Sequence, residues 1–209
     1  MGPSGGIEGV ESSVVVTGPR VVASFPLGLR ATLLDRGDWT AVRDTLERRD
    51  LDAALRLEGL GGADWLPLPA HLALLEAIAA VLGLDGIREL GFVRTQQNTM
   101  GGLFPTLLRS WVRSFRNEPA SLLRIGPHIW QTAFREAGEV VIDDVRPAHG
   151  SLRIVRCPQL ATSVAWQQIT EGVSAGILHL AGLRERVTFR SDGVSTTSAE
   201  LEWYAATGT

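Results

Sequence analysis

One stretch constrains the fold more than any other. Residues 158–182 read PQLATSVAWQQITEGVSAGILHLAG, where Leu160, Val164, Ile169, Val173, Ile177 and Leu180 recur at steps of three, four or five. That spacing is the apolar stripe of an amphipathic helix. Pro158 suits the first turn, where a missing N–H leaves no bond unmade. Gly182 suits the end, where the backbone can turn left-handed. Strand-like runs flank the stretch in pairs, at 139–156 and 185–204, so one helix face is available to cover the sheet they form.

The strand readings rest on a change of period. Val140, Val141, Ile142 and Val145 form one run, the 147–150 segment turns, and Leu152, Ile154 and Val155 return. Val187 and Phe189 alternate with Thr188 and Arg190, Ser191-Asp192-Gly193 turns the chain, and Ala199, Leu201 and Trp203 alternate with Ser198, Glu200 and Glu202. The last strand therefore has one apolar and one wet face.

Upstream, the patterns are helical. Helical signals begin at Phe25 and reach Gly37; Asp38 is placed to cap a helix carrying Trp39, Val42 and Leu46 inward. A short segment at 51–58 ends in a glycine cluster, and Trp65 to Pro69 is extended by its prolines. A helix apolar on nearly every side runs from Pro69 to Gly83, and another follows over 86–97. Pro105 opens a helix with Leu107, Leu108, Trp111, Val112 and Phe115 on one side and Arg109, Arg113 and Arg116 on the other. Gly126-Pro127 opens a further helix, with Ile129, Trp130, Ala133, Phe134 and Ala137 on one face and Gly138 closing it. The expectation is an α+β fold: an N-terminal helical layer on a four-stranded antiparallel sheet, with a strand–strand–helix–strand–strand C-terminal half.

With 209 residues the chain has room for one large domain or two small ones. No internal repeat or polar linker divides it, so a single domain is expected over 14–209, helical in 25–138 and sheet-forming in 139–204, after a disordered lead-in at 1–13. A chain this long buries roughly 70% of its unfolded surface and needs neither disulfide nor metal. Its net charge of −3 is too small to imply a strongly charged partner, and no nucleic-acid binding is expected. All 20 basic residues are arginine, which reads as codon usage before it reads as chemistry. The one cysteine, Cys157, rules out an internal disulfide and fits a reducing compartment. Residues 1–13 lack the apolar core of a secretory signal, and the longest apolar run, 72–84, contains Glu76 and is too short to span a membrane. A cytoplasmic protein is the expectation.

Catalytic signals are weak. Cys157, His149 and Asp143 or Asp144 are the residue types of a nucleophile–base–orienter set, but Cys157 stands at a strand end, where nothing lowers its pKa. The four histidines, 71, 128, 149 and 179, fall on separate elements without ligand spacing, so no metal is expected. His71, in the first turn of its helix, reads as structural or exposed. The aromatic residues Trp111, Phe115, Trp130, Phe134 and Trp166 lie on or near apolar helix faces; such residues usually fill a core, and they are also the candidate lining of an apolar ligand pocket. Arg109, Arg113 and Arg116 make a basic stripe, read as a wet face or a protein contact. Gly172, Ala175 and Gly176 make a small-residue strip that lets a backbone come close, from the chain's own sheet or from a second protomer.

Several of these positions carry a resemblance. The run from Ile129-Trp130 to Ala137-Gly138-Glu139, then Leu152-Arg153-Ile154, Glu171-Gly172 with Ala181-Gly182, and a closing strand ending in Trp203 resemble an uncharacterised family described from myxobacteria. That family is similar to the 4-vinyl reductase domain, the haem-NO-binding domain and the Bet3-type TRAPP subunits. The resemblance covers about residues 20–204 and implies a sensory, ligand-binding or assembly role. Relatives often carry a cysteine pair flanking the last hairpin turn; here the nearest positions hold Phe189 or Arg190 and Thr197 or Ser198, so no cysteine metal or redox site is implied. The Tyr-x-Ser-x-Arg pattern that holds haem propionates is missing, and Tyr204 is the only tyrosine, so no haem or other cofactor is expected. The leading functional expectation is a non-enzymatic regulatory or assembly module working through protein contacts, as a homodimer. The alternative is a small-molecule sensor with an apolar ligand held between helices and sheet.

Overall fold

A computed structural model describes residues 17–97 and 119–205. The lead-in at 1–13 and the helix expected from Pro105, with Arg109, Trp111, Arg113, Phe115 and Arg116, lie outside them. The helical part opens on a short strand, β1 (Arg20–Val22), followed by α1 (Ser24–Arg36), α2 (Trp39–Arg49) and α3 (Leu51–Glu58). Gly37 ends α1 at φ 79°, its N–H reaching the Leu33 and Leu34 carbonyls. Asp38 does not cap α2 as its position suggested: its carboxylate accepts from Arg36 Nε at 3.0 Å instead. Asp50 does cap α3, accepting from the Ala53 N–H at 2.9 Å.

After β2 (Trp65–Pro67) comes α4 (Leu68–Gln97), interrupted at Gly83, where φ 78° and ψ 171° lie outside any helix and suit only glycine. The two helices expected over 69–82 and 86–97 are its two arms. By length and composition Leu68–Gln96 could cross a membrane. Core helices pass the same test, and here Leu74, Leu75, Ile78, Ile87 and Leu90 are fully buried in the main apolar cluster.

Next are α5 (Pro119–Arg124) and α6 (Gly126–Ala133). The helix expected to reach Gly138 stops at Ala133. Phe134 is extended (φ −131°, ψ 141°) and, with Arg135, forms β3, which pairs antiparallel with β1. The edge of β1 supplies the backbone partners that further helix would have supplied, and an aromatic residue suits an extended site. β2, β1 and β3 make a three-stranded sheet.

The C-terminal half follows the expected order. β4 (Glu139–Arg146) and β5 (His149–Val155) precede α7 (Pro158–Thr162) and α8 (Val164–Leu180); β6 (Leu183–Ser191) and β7 (Thr197–Ala205) close the chain. All pairings are antiparallel, in the order β4-β5-β7-β6. The helix expected over 158–182 is broken near its start. Ser163 is extended, and its hydroxyl accepts from the Trp166 N–H at 3.2 Å, so it caps a new helix rather than continuing the old one. Apolar alternation is as read: Ala199, Leu201 and Trp203 are buried, as are Val187 and Ile154. Asp192 holds the β6–β7 turn by accepting from the N–H groups of Val194, Ser195 and Thr196 at 2.8–2.9 Å.

Candidate functional site

Two ionisable residues share the apolar face of α4. His71 falls in line with Leu74, Leu75 and Ile78; Arg94 falls in line with Ile87 and Leu90. In a straight helix they would lie about 34 Å apart, at about 1.5 Å per residue. Because the helix is broken by a kink at Gly83, both border one cavity. His71 is 4% exposed and Arg94 1%. These positions are buried by the folding of an apolar stripe, and the charge comes with them.

The cavity, about 140 Å³, lies between the helical layer and α8. Its walls are aromatic and aliphatic. Trp130 from α6 and Phe134 from β3 stack at 4.0 Å between ring centroids, and Trp166 from α8 meets Trp130 edge-on at 6.4 Å. Phe25 on α1 tilts against Phe134 at 6.0 Å. Leu29, Ile169, Thr170 and Val173 complete the lining. Trp130 is anchored by its indole N–H, which donates to the Gly138 carbonyl at 3.3 Å.

Arg94 is held at one end only. Its Nη2 donates to the Ser24 carbonyl at 3.0 Å, and the guanidinium lies 5.3 Å from the Phe25 ring centroid. Gly28 on α1 makes room for it, since a Cβ there would lie 2.6 Å from Nη2. Nε has no hydrogen-bond partner, and among the described residues no carboxylate pairs with the group. Burial draws its pKa down to about 10, so the guanidinium is still charged at neutral pH. His71 Nδ1 is likewise without a partner. Burial, and then the Arg94 charge, push the His71 pKa down to about 3, so its ring is neutral. Among the described residues the lining therefore presents one positive charge and one neutral imidazole, with Thr170, in walls that are otherwise apolar.

Of the residues singled out in the sequence, Trp130, Phe134 and Trp166 meet at this cavity. The strip Gly172, Ala175 and Gly176 is buried inside the chain: Gly172 and Gly176 approach α4, while Ala175 belongs to the apolar cluster with Val187, Ala199 and Leu201 of the sheet. A Cβ at Gly172 would overlap the Arg88 carbonyl, and one at Gly176 would lie 2.7 Å from Thr95 Cβ. The Cys157 set is scattered: Cys157 is buried at the far end of β5 from His149, its thiol pKa raised by burial, while His149 meets Glu200 at 2.9 Å and Asp143 is forked by Arg153. No cluster of potential metal ligands occurs among the described residues. Phe25, His71 and Arg94 were missed as site residues. A signal for the last two existed in the sequence: each is an ionisable residue standing in register with an apolar helical stripe.

No protein-family model matches the sequence, and no curated protein is detectably similar to it. The resemblance to the myxobacterial family therefore has no support beyond the residues quoted for it. Solved structures do match. The Fe(II) unliganded H-NOX (haem-NO-binding) protein from K. algicida aligns with a TM-score of 0.55 at 13% identity, over 90% of this chain and 98% of that one. A point mutant of T. tengcongensis H-NOX aligns with a TM-score of 0.57 at 11% identity, over 90% of this chain and 100% of that one. At that level of identity the likeness is one of fold: this chain has the α+β fold of H-NOX proteins.

Proposed function

We propose that the protein is a small-molecule sensor whose ligand occupies the cavity between α1, α4, α6 and α8. The observation that carries this reading is the cavity itself: aromatic walls around two buried polar side chains, each with one nitrogen that lacks a partner. Buried polar atoms are ordinarily satisfied, and exceptions gathered in an apolar pocket mark a binding site. The occupant would touch both the helical layer and the helix that braces the sheet. A ligand that bridges two layers favours the arrangement in which both contact it, and that gives binding a structural readout.

Haem, which the fold likeness brings to mind, does not fit these residues. An apolar void of about 150 Å³ holds a benzene, and a tetrapyrrole is several times larger than the space present. The nearest approach to the propionate-binding pattern, His149-x-Ser151-x-Arg153, belongs to β5, where Arg153 is engaged by Asp143 and His149 by Glu200. None of the three borders the cavity. The reading is thus of a compact organic ligand, bound without chemistry being done on it. The alternative of an assembly module is weakened because its small-residue strip is consumed within the chain.

The test is a panel of compact aromatic and aliphatic compounds, neutral, acidic and basic, scored by thermal shift and by quenching of tryptophan emission. Raised stability together with altered emission is the expected outcome for at least one member. A panel in which nothing moves either signal, with a native mass equal to that of the bare chain, would contradict the reading.

A further inference from the structure

We infer that the ligand is a compact monocarboxylate, its carboxylate on the Arg94 guanidinium and its apolar body among Phe25, Trp130, Phe134 and Trp166. This rests on the sensor reading above and names the chemistry of its ligand.

A guanidinium presents N–H donors in a plane suited to a carboxylate. Arg94 is buried to 1% exposure and spends one hydrogen bond, from Nη2, on the Ser24 carbonyl, leaving Nε with none. A charge in that setting calls for a counterion, and none of the described carboxylates supplies one. Other buried polar atoms lacking partners occur on Arg20, His149 and Thr197, but none borders the cavity, and Arg20 and His149 reach carboxylates through their other nitrogens. Among the described residues Arg94 is the cation of the lining, so the counterion it lacks would sit in the cavity.

Among the described residues of the lining the charge is single, because the His71 ring beside it is neutral. A monoanion balances it, whereas a dianion such as a phosphate monoester would bring a second charge with nothing to meet it. The neutral imidazole of His71 belongs to the same lining and adds no second charge to it. Size sets the rest. A cavity of about 140 Å³ takes one six-membered ring or a short branched chain, and not a long acyl chain. The stacked pair Trp130 and Phe134, with Trp166 edge-on, suits a flat body.

The test is calorimetric titration of the full chain at neutral pH with benzoate, benzamide and benzyl alcohol, which are similar in shape and differ in charge. Benzoate is expected to bind at least about tenfold more tightly than either neutral compound, since a hydrogen-bonded charge pair is worth that or more. Arg94→Gln is expected to bring the three within about twofold of one another, and Arg94→Lys to keep part of the preference. Equal binding of benzamide and benzoate by the unaltered protein overturns the carboxylate and leaves the sensor reading standing. Binding of none of the three, while another panel member still shifts stability, also overturns the carboxylate alone; silence from every compound overturns both. Should Arg94→Gln not fold, the comparison among ligands in the unaltered protein decides the matter.

Discussion

On the wet face of the four-stranded sheet, charged side chains meet partners across the strands. Arg153 forks Asp143 with distances of 2.7–3.0 Å, His149 meets Glu200 at 2.9 Å, and Arg156 pairs with Glu139. In the cavity beneath α8 the reverse holds: Arg94 and His71 are almost wholly buried, and neither meets a carboxylate among the described residues. His149 also has one ring nitrogen unpartnered, but it reaches Glu200 through the other. The exposed pairs are screened by water and each contributes little to stability. A lone buried charge costs far more. The fold thus keeps its weak electrostatics satisfied and its expensive electrostatics open. Charges on the sheet help fix strand register, while the charge in the cavity is kept against stability and calls for a functional account.

The contrast can be broken at several points. The cavity walls depend on the close approach of α4 and α8, so Gly172→Val, which drives a side chain into the Arg88 carbonyl, is expected to destabilise the protein by about 3–5 kcal/mol and to abolish ligand binding, measured by urea unfolding and calorimetry. Arg94→Met removes the lone charge and keeps the bulk. It is expected to raise the stability of the ligand-free protein by about 1–3 kcal/mol in the same unfolding experiment.

The His71 effect has a definite sign. Its folded pKa, about 3, lies below the unfolded value of 6.5, so the unfolded chain takes up the proton first. Stability is therefore unaffected by this group above about pH 6.5 and falls by roughly 1 kcal/mol per pH unit below it. His71→Leu is expected to flatten that part of the stability–pH curve, the difference between the two curves being the measured quantity. On the sheet, Arg153→Ala is expected to change stability least of these variants and to leave ligand affinity unchanged, in the same unfolding and calorimetric measurements.

The sequence carried the frame further than the site. Alternation at Ala199, Leu201 and Trp203 and the stripe from Ile169 to Leu180 revealed the antiparallel half because burial on one face leaves a period in the residues themselves. Local competition was harder to read. The break at Ser163 depends on a hydroxyl choosing a cap over a continuing helix, and the early end of α6 depends on β1, more than a hundred residues upstream, offering an edge to Phe134. Half of the site was visible as aromatics on helix faces, since Trp130 and Phe134 share a neighbourhood whether the chain between them is helical or extended. The polar half was not recognised. His71 and Arg94 interrupt apolar stripes where a hydrophobic residue would pack, and the kink at Gly83 brings both to one cavity; sequence separation hides that proximity.

If Arg94 is kept at a cost to the folded chain because it meets a ligand, the cost and the ligand must both disappear with the charge. Urea unfolding of the unaltered protein and of Arg94→Met, each with and without saturating benzoate, measures the two together. Without ligand the variant is expected to be the more stable of the two; with benzoate only the unaltered protein gains, by mass action, and the gap closes or inverts. A variant that is already less stable without ligand, or a benzoate effect equal in both proteins, would show that the buried charge serves no carboxylate.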